Sequence, residues 1–218
     1  MENFTLGTGE HACLFYEDFN EQKRVALPFI REGLLRKEQC VYVANEQADD
    51  EWCEELQAYG IDVARELRER NLIVCKGEHW RHSGKLSSIT KAKQAWGMIE
   101  DALENHGGIR FVVDMGWTLD SEMTSDNLCH WEATQNPLIA GDQEIRILCQ
   151  YNILRHPAES LHAALRTHPI TIAQGVGGPN PFYEAPRILE NEPYFNRCVA
   201  DPSSVADMLA QLSFAAAK

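Results

Sequence analysis

Short β-branched and apolar runs alternate with longer amphipathic stretches along this chain, and that alternation constrains its fold more than any other feature. The strand candidates are Ala12–Tyr16, Cys40–Ala44, Asn71–Lys76, Ile109–Met115, Ile145–Tyr151 and Ile170–Gln174. Several are apolar on both faces, as strands covered on both sides by helices must be. Between them, Trp52, Leu56 and Tyr59 recur at helical spacing, with Asp49 or Asp50 positioned to cap that helix and Gly60 to stop it. Ile89, Trp96, Ile99 and Leu103 form a second stripe, opened by Ser87 or Ser88 and closed by Gly107-Gly108. Pro157 suits a first helical turn, with Leu161 and Leu165 on the buried face and His168-Pro169 at the end. A helix from about Glu21 to Lys37 contains Pro28, which predicts a kink or a later start. Repeated strand–helix alternation predicts an α/β fold with a mostly parallel central sheet flanked by helices. Ligands of such a sheet bind beyond the carboxyl ends of its strands.

The 218 residues, 44% of them hydrophobic, suffice for one domain whose core needs neither disulfide nor metal. Residues 1–200 read as that domain and 201–218 as a C-terminal helix or tail, with Gly175–Pro193 an ordered loop excursion. No apolar run approaches the roughly 20 residues that span a bilayer. The start, Met1-Glu2-Asn3-Phe4, lacks the basic and apolar regions of a signal peptide, so a cytoplasmic protein with no membrane partner is expected. With 33 acidic against 20 basic residues the net charge is -13, and that field would repel a nucleic-acid backbone. Seven cysteines without a Cys-x-x-Cys pair predict reduced thiols rather than a disulfide framework or a zinc ribbon.

At the turn after the opening strand a nucleotide-binding protein carries Gly-x-x-x-x-Gly-Lys-Ser/Thr. Here the chain reads Tyr16-Glu17-Asp18-Phe19-Asn20-Glu21, with no glycine and carboxylates where an anion would have to sit. ATPase activity is therefore not expected. No serine-nucleophile elbow, His-Glu-x-x-His pair or dinucleotide fingerprint occurs, so the chain reads as a non-enzyme. Asp114, closing an apolar strand, stands where a Mg²⁺-bound water is held in phosphoryl-transfer sites, and Glu46 where a water-activating carboxylate could sit. Both also fit ordinary polar strand ends. Cys149 and Tyr151 end a strand in the cleft region, where a thiol and a phenol could grip a small ligand or sense an oxidant. His11 and Cys13 lie two apart on one strand face and could ligate a metal with Cys149 or His168. One sequence shows no convergence of these groups, so no metal or other cofactor is expected. His79-x-x-His82 beside Trp80 reads as a loop, and Trp117, Trp131, Tyr151, Phe182 and Tyr183 could line an aromatic pocket.

The order of short motifs adds a resemblance. It runs His11-x-Cys13-x-x-Tyr16-Glu17, Pro28-Phe29-x-x-x-Gly33-Leu34, Cys40-Val41-Tyr42-Val43 and Ile109-Arg110-Phe111 through Asp114-Met115-Gly116-Trp117. It continues with Trp131-Glu132-Ala133-x-x-Asn136, Leu148-Cys149-Gln150-Tyr151, His168-Pro169 and Asn180-Pro181-Phe182-Tyr183. Together, from about residue 8 to 186, these resemble the MEDS family, the methanogen/methylotroph DcmR-type sensory domain. That resemblance implies a derived KaiC-like member of the RecA-like fold that lacks the phosphate loop. It implies a non-catalytic sensory module that binds a small hydrocarbon derivative and relays the signal to a histidine kinase or transcription regulator. The expected ligand contacts are His11, Cys149, Tyr151 and His168, with Trp117 and Tyr183 as apolar walls and Glu46, Asp114 and Glu132 as further candidates. A homo-oligomer is a further expected partner. The competing readings are a KaiC-like nucleotide-binding protein with an altered site, a ligand-free pseudo-ATPase scaffold and a thiol redox sensor.

Overall fold

A seven-stranded sheet in the order β3-β2-β4-β5-β1-β6-β7 organises the molecule. It is seen in a computed structural model that describes residues 5–44, 49–76, 88–119, 123–141, 143–185 and 202–215. In chain order the elements begin β1 (Glu10–Tyr16), α1 (Phe19–Leu35), β2 (Gln39–Ala44), α2 (Asp49–Ala58), α3 (Val63–Arg68), β3 (Leu72–Lys76) and α4 (Ser88–Asn105). They continue with β4 (Ile109–Asp114), a 3-10 turn (Met115–Thr118), α5 (Ser125–Ile139), β5 (Ile145–Asn152), α6 (Ala158–Thr167), β6 (Ile170–Ala173), β7 (Val176–Pro179) and α7 (Pro202–Ala215). All pairings are parallel except the β6–β7 hairpin. The α/β class and the mostly parallel sheet expected from the sequence are those observed.

Side chains alternate between the two faces of a strand, so the register sorts the core into two layers. Cys13 pairs with Cys149 and Phe15 with Tyr151 across β1 and β5, and Val113 pairs with Cys149 across β4 and β5. These odd-numbered residues pack with Val41, Val43 and Phe111 into one buried cluster, which α4, α5, α6 and α7 cover. The even-numbered Leu14, Tyr42, Val112 and Leu148 face the other way, into a second cluster with Phe29 and Ile30 of α1 and Trp52 and Leu56 of α2.

Some local expectations change. Pro28 lies inside α1, which starts at Phe19 rather than after the proline. Its start is set by Asp18, whose carboxylate accepts from the Asn20 and Glu21 amides at 2.8 and 3.0 Å. Tyr59 and Leu103, read as members of buried stripes, are 42% and 37% exposed. The stretch read as a loop after Gln174 instead turns at once into β7. Gln174 and Gly175 both have positive φ, 51° and 77°, the geometry of a two-residue hairpin turn. α3 and α5 were not anticipated, and α5 escaped because its inward stripe carries Glu132 and Asn136 and so does not read as apolar. No helix among the described residues is long and apolar enough to cross a membrane.

A charged device lies at the amino-terminal ends of the central strands. Arg110 and Arg146 are side by side in the register, both buried, and Glu38 bridges them. Arg146 Nη1 donates to Glu38 Oε1 at 2.9 Å, Arg110 Nε to Glu38 Oε2, and Arg110 Nη1 to the Phe29 carbonyl at 3.0 Å. Gly33 admits this contact: a Cβ there would stand 2.6 Å from Cys40 Sγ and 2.7 Å from Arg110 Cδ. Removing one member of such a buried pair leaves an uncompensated charge. Glu38→Ala is expected to lower unfolding stability by about 3–5 kcal/mol, read from urea midpoints. A loss below about 1 kcal/mol would show that the arginines hold their places without it.

Candidate functional site

Beneath α5, on the odd-numbered face of the sheet, four side chains from two strands, a turn and one helix converge. His11 comes from β1, Cys149 from β5, His168 from the turn leading into β6, and Glu132 from α5. All four are buried, and one potential ligand atom from each lies within 4.8 Å of the others. His11 Nε2 stands 3.4 Å from Cys149 Sγ and 3.5 Å from Glu132 Oε2. His168 Nε2 is 3.6 Å, and Cys149 Sγ 3.8 Å, from that same oxygen. The two imidazole rings are 4.1 Å apart, centre to centre.

The surroundings fix how these groups present themselves. Asn136 Nδ2 donates to the Thr167 carbonyl at 2.7 Å, which turns its Oδ1 toward His11. His11 Nδ1, 3.2 Å from that oxygen, is therefore the donor, and its Nε2 carries the lone pair. His168 Nδ1 sits 2.8 Å from the Ala164 carbonyl and donates to it, which leaves its Nε2 as an acceptor with no hydrogen-bond partner. Tyr151 donates to Glu132 Oε1 at 2.6 Å, so Oε2 alone faces the histidines and the thiol. Burial lowers the His11 pKa to about 4 and that of His168 well below its ordinary value. Burial also raises Glu132 to about 7 and pushes the Cys149 thiol and the Tyr151 phenol up.

Glu132 and Cys149 also line a cavity of about 60 Å³. Its floor is Val43, Phe111, Val113, Ile147 and Cys149 of the sheet, and its roof is Ile99 of α4, Met115, Trp117, and Trp131, Glu132 and Gln135 of α5. At the roughly 10–15 Å³ that one water-sized body needs, it has room for a molecule of a few heavy atoms. A larger cavity of about 470 Å³ opens near the carboxyl end of β1, where Glu17 and Glu21 line it with Phe15, His156 and Leu209. There the amides opening α1 are already bonded to the chain's own Asp18.

Of the residues singled out from the sequence, the structure brings His11, Glu132, Cys149, Tyr151 and His168 together and sets Trp117 in the adjoining cavity wall. Asp114 does not join them. It lies on the opposite, even-numbered face, where it accepts from Gln22 Nε2 at 3.2 Å and from the Gly116 amide at 2.8 Å. Tyr183 follows β7 at the sheet edge and lines neither cavity. Glu46, His79, Trp80 and His82 lie outside the described residues. Cys13 is absorbed in the core next to the Ala164 and Ile170 carbonyls. The site also sits on the sheet face, not beyond the strand ends, because α5 supplies its acid from above. Sequence reasoning missed Phe111, Gln135 and Ile147. Strand parity, counting in twos from Cys149, and the 131-132-135-136 spacing on α5 would have found them.

The comparisons agree with this architecture. A KaiC-like protein from the hyperthermophilic archaeon Pyrococcus horikoshii superposes with a TM-score of 0.54 at 12% identity, over 76% of this chain and 71% of that one. The flagellar accessory protein FlaH from Methanocaldococcus jannaschii does so at 0.54 and 13%, over 78% of this chain and 75% of its own. These likenesses define the fold class as RecA-like. No match was found among curated proteins. The family model of the MEDS domain, the methanogen/methylotroph DcmR sensory domain, matches residues 10–169, and the chain belongs to that family.

Asn136 makes two of the bonds that hold the cluster. Asn136→Ala strands the His11 Nδ1 donor and the Thr167 carbonyl and is expected to cost about 1–3 kcal/mol of stability. A urea midpoint unchanged from the parent protein would show that these bonds are replaced by solvent.

Proposed function

We propose that this chain is a non-catalytic sensory domain that takes a small, largely apolar molecule, a hydrocarbon derivative of a few heavy atoms, into the cavity under α5. Occupancy is then relayed to a signalling partner, a histidine kinase or a transcription regulator. The observation that carries this reading is the cavity itself: aromatic and aliphatic walls with Glu132, Gln135 and Cys149 as its polar groups. A mainly apolar pocket with a few polar anchors is the usual form of a small-molecule site. Membership of a sensory family supports the same role. α5 contributes Trp131, Glu132 and Gln135 to the wall, so a ligand that fits better with α5 in one position shifts its equilibrium. The crowding of Glu17, Asp18 and Glu21 at the β1–α1 turn supports a ligand without phosphate.

Thermal melting with a panel of short halogenated and oxygenated hydrocarbons tests this. A ligand at about 100 times its Kd is expected to raise Tm by roughly 5–10 °C for a chain of this length. Val113→Phe, which fills the cavity, is expected to fold and to lose the shift. A shift given by Mg-ATP and lost in Asp114→Asn would instead favour a nucleotide site.

A further inference from the structure

We propose that His11, Glu132, Cys149 and His168 form a binding site for a divalent transition-metal ion of the Zn(II) class. The geometry carries it. Zinc bonds of about 2.0–2.2 Å to nitrogen and oxygen and about 2.3 Å to sulfur, at tetrahedral angles, separate the ligand atoms by roughly 3.3–3.6 Å. The four contacts that run through His11 Nε2 and Glu132 Oε2 measure 3.4, 3.5, 3.6 and 3.8 Å. No pair in the set exceeds 4.8 Å, so an ion closes the tetrahedron with small side-chain movements.

The second observation is the orientation of the lone pairs. Both histidines donate Nδ1–H outward, to Asn136 Oδ1 and the Ala164 carbonyl, and aim Nε2 inward. That is how metal-bound imidazoles are held. Glu132 is treated alike, with Oε1 occupied by the Tyr151 hydroxyl and Oε2 directed to the centre. His168 Nε2 is fully buried without a hydrogen-bond partner, and a cation supplies the partner it lacks.

Charge selects the oxidation state. A thiolate and a carboxylate carry one negative charge each and the imidazoles none, so a divalent ion leaves the buried site neutral. Two nitrogens, one sulfur and one oxygen at tetrahedral spacing suit Zn(II) and its spectroscopic substitute Co(II), and disfavour Mg²⁺ and Ca²⁺, which take oxygen ligands. Because Glu132 and Cys149 also line the cavity, the ion has an entry path and lies next to the space assigned above to a ligand. The site stands whether or not that space is used for sensing.

The test uses the whole chain, stripped with a chelator and titrated with Co(II). One equivalent is expected to bind with the thiolate-to-cobalt charge-transfer band of a cysteine ligand. Cys149→Ser is expected to lose that band, and His168→Ala to weaken binding by at least about 100-fold. If Cys149→Ser does not fold, alkylation of the wild-type chain gives the same answer: Zn(II) is expected to protect Cys149, mapped by mass spectrometry. A titration without the thiolate band, or a band that persists without Cys149, overturns the site. Metal binding without any small-molecule melting shift would leave it standing and remove the sensing reading, and a shift in metal-free protein would do the reverse.

Discussion

Side-chain alternation in a sheet covered on both faces is the constraint from which the rest of this structure follows. Each strand must send half of its residues toward α1, α2 and α3 and the other half toward α4 to α7, and neither layer offers water to a polar group. Every charged side chain that enters must therefore meet its partner on its own face. The even-numbered face solves this with Arg110 and Arg146 around Glu38. The odd-numbered face carries His11 and Cys149 from the strands, and among the described residues no lysine or arginine is bonded to them. Its acid, Glu132, descends from α5 and faces two imidazoles that burial keeps uncharged.

These two devices differ in what they can do. The Glu38 network is anchored on every member, since both guanidiniums are bonded to carboxylates or carbonyls in place and Arg110 Nη2 is the buried donor left unpartnered, and it behaves as a fastening between α1 and the sheet. The Glu132 cluster is incomplete. It turns two imidazole lone pairs and a carboxylate oxygen toward one another with the Cys149 thiol as the donor among them, and burial raises the carboxyl pKa to about 7. Buried groups with unmet demands are costly to maintain. An added cation meets them, and so does a proton on Glu132. The difference is that a cation ties α5, β1, β5 and the approach to β6 into one unit, whereas a proton reaches only a single neighbour.

The fold was legible because its strands announce themselves. Val41, Val43, Phe111 and Val112 sit in apolar, β-branched runs of strand length, whereas the Asp18 cap of α1 was not read, and that helix was begun at about Glu21. The site was legible in part: His11, Glu132, Cys149, Tyr151 and His168 could be singled out as chemistry-bearing, but not assembled. What hid the assembly was α5, since a helix that turns Glu132 and Asn136 inward violates the apolar-stripe pattern by which helices are read. The same polarity that obscures the helix makes the cluster. Asp114 misled for the opposite reason. An acid at a strand end suggests chemistry, yet parity alone assigns it to the other face, where it caps the turn at Met115 and bonds Gln22.

The turn after β1 presents carboxylates rather than free amides. Open α/β sheets receive ligands beyond the carboxyl ends of their strands, and a helix opening there offers free amides to an anion. Here Asp18 takes the first amides of α1, and Glu21 accepts the Glu17 amide at 2.9 Å. An arriving phosphate would have to displace carboxylates from donors they already hold, against their charge. The donors at that edge are thereby already engaged, while the mostly apolar space under α5 carries Glu132, Gln135 and Cys149 among its lining. A molecule entering that space meets α5 directly, through Trp131, Glu132 and Gln135. In the proposed roles, an ion held by Glu132 and an occupant of the cavity would act on the same helix, because α5 carries Glu132 together with Trp131 and Gln135.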